Sequence, residues 1–153
     1  ARCDAFVQQI MGFSLLEELL CPPNLSRMDR IEVSLPAIIS FDIAMAASWR
    51  AQGIEPVAVV GHSTGEIAAA HVCGALDLQD TMRVICAYGR TIARFSGKGT
   101  MALVELGWDE TAQRLKEIDG RVYLAIEDSV ETTVIAGSLR SSRQRSRNCK
   151  WRG

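Results

Sequence analysis

Histidine is scarce in this sequence of 153 residues, which contains only His62 and His71. No CxxC pair occurs, and no cysteine stands at zinc-ligand spacing from a histidine, so the sequence predicts no metal site. The cysteines are odd in number and widely spaced, which excludes a disulfide scaffold and favours free thiols in a reducing cytoplasm. They are Cys3, Cys21, Cys73, Cys86 and Cys149.

The chain also lacks an excess of charge of either sign, because its 17 Lys and Arg nearly balance its 18 Asp and Glu and leave a net charge of -1. This balance excludes a strongly basic nucleic-acid binder and gives no steering toward polyanions or membranes. No apolar run reaches the roughly 18 residues of a membrane helix, and no signal peptide is recognisable. We therefore expect neither a nucleic-acid nor a membrane partner. A hydrophobic content of 48% suits a globular fold and excludes a collagen or a wholly disordered chain.

Helical periodicity dominates the first half of the chain. Apolar residues at 3–4 spacing predict a helix over 4–20, weakened around Gly12 and stopped by two prolines. Ser34, two residues before Pro36, predicts the start of a second helix that runs to about Gln52.

A short apolar segment, Pro56–Gly61, follows and is rich in β-branched residues. An unbroken run of this kind favours a strand buried on both faces, as in a parallel α/β sheet. A helix over 67–73 follows directly, and Asp77 is placed to cap another helix that reaches about Phe95.

The pattern changes beyond Gly99. Residues 100–106, 109–118, 122–127 and 132–136 predict strand, helix, strand and strand, which is most of a ferredoxin-like β-α-β-β unit. The predicted fold class is α/β, with domains at 1–99 (core), 100–138 (partial ferredoxin-like subdomain) and 139–153 (basic tail). The tail lacks periodicity and predicts disorder; an RNA-binding segment and an out-of-frame end are alternatives.

The chemistry centres on Gly61-His62-Ser63-Thr64-Gly65, a G-x-S-x-G pattern between the predicted strand and helix. That context is the one a nucleophile elbow requires. We expect Ser63 to be a catalytic nucleophile with an exposed Oγ, and Gly61 and Gly65 to avoid clashes across the turn. The backbone N–H of Thr64 is placed to stabilise an oxyanion. The alternative is a structural or phosphate-type turn.

Neither histidine is a convincing general base. His62 is adjacent to Ser63, so its side chain leaves the turn in another direction. His71 lies eight residues along the predicted helix, about 12 Å away by rise alone, which exceeds the roughly 3 Å of proton transfer. We expect His71 to be structural.

The sequence around Ser63 resembles a known family. Residues 61–76, GHSTGEIAAAHVCGAL, look like the acyltransferase domain of modular polyketide synthases, which is similar to malonyl-CoA:acyl carrier protein transacylase. Further matches run from GFSLL at 12–16 to VIAG at 134–137, so the resemblance covers about residues 1–138. It implies an α/β-hydrolase-like core with an inserted ferredoxin-like subdomain.

The resemblance also implies a ping-pong acyl transfer. Ser63 would accept an acyl group from acyl-CoA and pass it to the phosphopantetheine thiol of an acyl carrier protein, with no bound cofactor and with ketosynthase and other synthase modules as partners. His62 would help shape the acyl site and Thr64 would supply half of the oxyanion hole. The family's second oxyanion donor and its base histidine match no residue here, so we expect this chain alone to be inactive.

Two further positions depart from the family pattern. Tyr88 stands where the family has an arginine that pairs with the malonyl carboxylate, and Leu35 replaces a glutamine. Arg90 is two positions on and points about 200° away on a helix. The donor is therefore a malonyl-type or a neutral acyl group, and Tyr88 favours the neutral one. A serine esterase or lipase, and a non-catalytic remnant of the fold, remain alternatives.

Overall fold

The computed structural model describes residues 2–116 and 122–138, which divide into two compact units between Arg94 and Phe95. Within its described residues the first unit is built of five helices. These are α1 (Arg2–Met11), α2 (Leu15–Leu20), α3 (Ile31–Ala51), α4 (Gly65–Val72) and α5 (Leu78–Ala93).

The helix predicted over 4–20 is two helices, α1 and α2. Gly12 has a φ of +80°, a left-handed conformation that ends α1. The Ser14 hydroxyl accepts a hydrogen bond from the Glu17 N–H and caps α2. The same hydroxyl donates to the Asp4 carboxylate at 2.8 Å, which ties the start of α2 back to α1.

Helix α3 begins at Ile31, so the predicted cap at Ser34 is wrong. Pro36 lies inside the helix, where it has no N–H to donate to the Glu32 carbonyl. The Pro36 ring is fully buried, and Val33 beside it is 1% exposed. Burial of such side chains contributes about 1.5–3 kcal/mol each, which offsets the lost hydrogen bond.

The core of the first unit lies where α3 and α5 pack together, with α1 against α5 and α4 against α3. Gly89 allows the close approach of α5 to α3, since a Cβ there would lie 3.1 Å from the Cα of Glu32. Asp77 caps α5 as predicted and accepts from the Asp80 N–H at 2.7 Å. The core side chains are Val7, Leu15, Ala37, Ile39, Ile43, Ala68, Met82, Ile85 and Cys86.

The strand predicted over Pro56–Gly61 does not form. A strand exists only through ladder hydrogen bonds with a neighbour, and within residues 2–116 and 122–138 no strand pairs with this segment. Its β-branched side chains are therefore left open, with Val57 and Val60 fully exposed.

Helix α3 also presents an exposed apolar stripe, formed by Ile38, Phe41, Met45 and Trp49. By length and composition α3 is apolar enough to cross a membrane, so the expectation that no segment would qualify is wrong. A single helix of this kind is weak evidence for a span, because core helices of soluble proteins meet the same criteria. Here the opposite side of α3 carries core residues of the unit.

The second unit contains β1 (Thr100–Val104), α6 (Trp108–Lys116), β2 (Val122–Glu127) and β3 (Thr133–Gly137). Its element order is the predicted strand, helix, strand, strand. The sheet order is β1-β3-β2, and both outer strands pair antiparallel with β3. The outer strands are thus parallel to each other. The predicted end of α6 at 118 and the 139–153 tail lie outside the described residues.

Candidate active site

Ser63 occupies a strained turn between the apolar segment and α4. Its φ is +56°, and it is the one non-glycine residue in the described ranges with a positive φ. A residue other than glycine adopts this left-handed backbone conformation only when the surrounding structure imposes it. The residue is exposed, so its Oγ is open to an incoming electrophile, as a nucleophile elbow requires.

The two glycines of the motif differ in their role. A Cβ on Gly61 would lie 2.4 Å from both the Cα and the N of Glu66, so only glycine fits where the chain enters the turn. A Cβ on Gly65 would meet nothing within 4 Å among the described residues. The expected clash at Gly65 is therefore wrong, because that position faces open space at the start of α4.

Backbone hydrogen bonds close the turn, and the Thr64 N–H is among the donors that they leave unpaired in the described residues. The Gly65 N–H donates to the His62 carbonyl at 3.0 Å, and the Glu66 N–H donates to the Ser63 carbonyl at 3.1 Å. The Thr64 N–H has no acceptor among the described residues. A free N–H next to the serine, at the positive end of α4, is suited to stabilise an oxyanion.

Neither histidine makes a hydrogen bond to Ser63 among the described residues. His62 is exposed beside the serine. The Nδ1 of His71 lies 3.0 Å from the Leu76 carbonyl oxygen, just beyond the end of α4. This contact orients the His71 ring at the end of α4, and among the described residues no histidine is hydrogen-bonded to Ser63 as a general base would be.

The remaining predicted substrate residues lie on α3 and α5. Tyr88 is 44% exposed on α5. The guanidinium of Arg90 donates to the Ile10 carbonyl at 2.5 Å, near the end of α1. Leu35 is partly buried and packs against the helical core. The structure thus joins His62, Ser63 and Thr64 in one turn. Arg90 is exposed and contacts the end of α1, whereas Leu35 packs against the helical core.

An apolar groove of about 600 Å³ adjoins the turn. It is lined by His62 and Gly65, on either side of Ser63, but not by Ser63 itself. It is lined by Asp42, Ala46, Trp49, Ile54, Pro56, Val59, Val60, Gly61, His62, Gly65, Ala68, Ala69 and Val72.

Sequence reasoning missed Arg50. Its guanidinium contacts Glu55, ahead of the apolar segment, and the Val72 carbonyl, at the end of α4. The available signal was a basic residue in the last turn of a predicted helix, with an acid five residues later.

Comparisons with known proteins identify the family to which this chain belongs. The profile of the acyl transferase domain matches residues 1–153. The chain is 34% identical over 151 residues to erythronolide synthase EryA2 of Saccharopolyspora erythraea, covering 99% of this chain and 4% of that synthase. It superimposes on the loading acyltransferase of the avermectin modular polyketide synthase with a TM-score of 0.83 and 32% identity, covering 96% of this chain and 48% of that one.

A more distant structure shares the fold. It is the malonyl-transacylase of a type II polyketide synthase in complex with its acyl-carrier protein, with a TM-score of 0.80, 22% identity, and coverage of 97% of this chain and 50% of that one. The chain thus spans half or less of each solved acyltransferase and a small part of the curated synthase. The family model matches residues 1–153, and the chain is similar to polyketide synthase relatives. The chain therefore belongs to the acyl transferase domain family.

Proposed function

We propose that Ser63 carries an acyl group from acyl-CoA to an acyl carrier protein. The Ser63 Oγ attacks the thioester carbonyl, an O–C bond forms, and the C–S bond breaks as coenzyme A leaves with the serine proton. The phosphopantetheine thiol of the carrier protein then attacks the ester carbon. A new C–S bond forms, the O–C bond breaks, and the proton of the thiol returns to Ser63.

The observation that carries this proposal is the conformation of Ser63. A φ of +56° holds an exposed serine at the tip of a tight turn, with the unpaired Thr64 N–H as its neighbour. Both features serve acyl transfer, because the first presents the nucleophile and the second stabilises the negative charge of the tetrahedral intermediate. His62, exposed on the same turn, would shape the acyl site.

The general base and the second oxyanion donor would come from residues other than those described. His71 makes no hydrogen bond to Ser63 among the described residues, and its Nδ1 contacts the Leu76 carbonyl beyond the end of α4. General-base catalysis contributes about 10²–10⁴ in rate. The resemblance implies a base histidine downstream of the second unit, and this chain alone is expected to react slowly.

A neutral acyl donor fits the residues on α5 best. Tyr88 offers a phenol where the family pattern has a guanidinium, so a bidentate pair with a malonyl carboxylate cannot form there. The Arg90 guanidinium already donates to the Ile10 carbonyl. Leu35, turned to the core, offers no hydrogen bond in place of the family's glutamine.

The acceptor follows from the relatives. A carrier protein is bound to its transacylase in one solved relative, and EryA2 is a polyketide synthase. We infer that an acyl carrier protein is the acceptor here, with ketosynthase and other modules as neighbours, no bound cofactor and a cytoplasmic setting. The four described cysteines are free thiols, which suits that setting: Cys3, Cys21, Cys73 and Cys86.

We further propose that the chain forms part of an α/β-hydrolase-like core with a partial ferredoxin-like subdomain. The apolar segment 56–61 would become the strand of an α/β-hydrolase-like parallel sheet when paired. The β1-β3-β2 order supports a partial ferredoxin-like subdomain, since two parallel outer strands flank an antiparallel one.

The test is acyl loading of a complete acyltransferase domain that contains this chain. Intact mass would follow loading by acetyl-CoA beside malonyl-CoA, and then transfer to a phosphopantetheinylated carrier protein. We expect acetyl loading, and transfer faster than hydrolysis. Preferential stable loading by malonyl-CoA would refute the neutral donor, and hydrolysis without transfer would favour an esterase. Tyr88→Arg should raise malonyl loading, whereas Tyr88→Phe should not.

A further inference from the structure

Arg50 joins the two arms of the serine turn. It is the penultimate residue of α3, and its Nε donates to the Glu55 carboxylate at 3.0 Å, immediately before Pro56. Its Nη2 donates to the Val72 carbonyl oxygen at 2.7 Å, in the last turn of α4. One guanidinium therefore contacts the segment that enters the turn and the helix that leaves it.

The two contacts differ in strength. The Arg50 and Glu55 side chains are 40% and 68% exposed, so water screens their ion pair and it contributes little by itself. The Val72 carbonyl has no N–H of its own helix to accept from, because it lies in the last turn of α4. A cation at that end also interacts favourably with the helix dipole. The bond to Val72 therefore carries most of the effect.

The turn itself depends on such support. A non-glycine residue at positive φ costs about 1–3 kcal/mol and persists only where its surroundings fix it. The contact of Gly61 with Glu66 fixes the two arms of the turn next to Ser63. Arg50 fixes the far ends of the same two arms, through Glu55 and Val72. A change in the angle between these arms would rotate Ser63.

We propose that Arg50 is a positioning residue that holds the Ser63 turn by linking Glu55 to Val72. Arginine suits this role because its planar fork donates in two directions at once, whereas a lysine ammonium is a point charge. The catalytic consequence rests on the proposed role of Ser63 as nucleophile, but the structural link does not.

Hydrogen exchange in the 153-residue chain tests the link. The amides of Gly65, Glu66 and Ile67 donate across the turn at 3.0, 3.1 and 3.1 Å, so their exchange rates report its closure. Arg50→Gln should speed their exchange by about fivefold, the effect of one partly exposed charge-assisted bond. Amides of α1 should keep their rates.

Three further variants separate positioning from general destabilisation. Arg50→Lys should recover part of the protection, and Glu55→Gln should lose less than Arg50→Gln. Arg83→Gln is the matched control, because Arg83 pairs with Asp80 on the exposed face of α5. The proposal would be overturned if the turn amides exchange at the wild-type rate in Arg50→Gln. It would also be overturned if their exchange rates rise by no more than the rates of the α1 amides. If Arg50→Gln does not fold, Arg50→Lys and Glu55→Gln decide it by the same amides.

A second readout concerns catalysis. In a complete acyltransferase domain, Arg50→Gln should lower kcat about fivefold and leave the KM for acyl-CoA within about twofold, since Arg50 lies on the turn's supports rather than on substrate. A rise in KM alone would contradict positioning. If the wild-type domain is not acylated at Ser63, the proposed function fails, while the exchange result still decides the link.

Discussion

Gly61 and Glu66 meet backbone to backbone across the serine turn: a Cβ on Gly61 would lie 2.4 Å from the Cα of Glu66. No residue that carries a Cβ fits this contact without moving one arm of the turn. The contact sets how closely the entering segment approaches α4, and so it sets the conformation of Ser63 between them.

Gly61→Ala should therefore disable the turn. The extra methyl group must push the arms apart, and overpacking of this kind costs about 1–3 kcal/mol. We expect fluorophosphonate labelling of Ser63, in a complete acyltransferase domain, to fall by about 100-fold. Gly65→Ala is the control, because its Cβ meets open space. Equal labelling of Gly61→Ala and wild type would contradict the role of this contact.

Arg90→Ala should lower stability without changing the donor. The Arg90 guanidinium donates to the Ile10 carbonyl, and loss of this partly exposed, charge-assisted bond should cost about 1 kcal/mol. Denaturant unfolding measures this cost, with Arg83→Ala as the control on the same helix. The ratio of acetyl to malonyl loading should stay constant. A selective loss of malonyl loading would instead make Arg90 the partner of the substrate carboxylate.

Acid should weaken the joint between α1 and α2. Partial burial raises the pKa of Asp4, but hydrogen bonds from the Ser14 hydroxyl and the Leu16 N–H outweigh it and hold the pKa below its usual 3.8. A carboxyl with a depressed pKa stabilises the folded state fully above about pH 5. That contribution is lost as the pH falls through the folded pKa.

The measurement is the free energy of unfolding between about pH 6 and pH 3. Asp4→Asn should lower it at pH 6 and flatten its decline in acid. Asp29→Asn is the control, because Asp29 is exposed and has no hydrogen-bonded partner among the described residues. An acid dependence that is unchanged in Asp4→Asn would refute the assignment.

The cysteines should differ sharply in reactivity. Cys86 is fully buried among core residues, and burial raises its pKa to about 11, against a smaller opposing effect of Arg90. The thiolate is the reactive form, so iodoacetamide at about pH 8 should leave Cys86 unmodified. Cys73 is exposed and should be alkylated. Mass mapping checks both, and alkylation of Cys86 at the rate of Cys73 in the folded chain would contradict a closed core.

Local chemistry made the serine turn predictable. The Gly61-to-Gly65 pattern lies between a β-branched run and an alanine-rich segment, and Asp77 caps α5 through its own side chain. Signals of this kind involve residues within a few positions of each other. They predicted the turn, the cap and the order of elements along the chain in the second unit.

Features that depend on distant partners were not predictable. The segment 56–61 has strand composition but forms no strand, because pairing needs a neighbour that composition cannot supply. The partner of Arg90 is Ile10, 80 residues away in sequence. Pro36 lies inside α3, where tertiary packing buries its ring. In each case the presence or the lack of a tertiary partner among the described residues decided the outcome over local preference.

Peptide mapping of the acyl-enzyme tests the central claim most directly. A complete acyltransferase domain containing this chain would be incubated with acyl-CoA, quenched, digested and sequenced by mass spectrometry, beside Ser63→Ala. We predict one acyl adduct, on the Ser63 hydroxyl, and none in Ser63→Ala. An adduct on another residue, or equal acylation of Ser63→Ala, would contradict the assignment of Ser63 as the nucleophile.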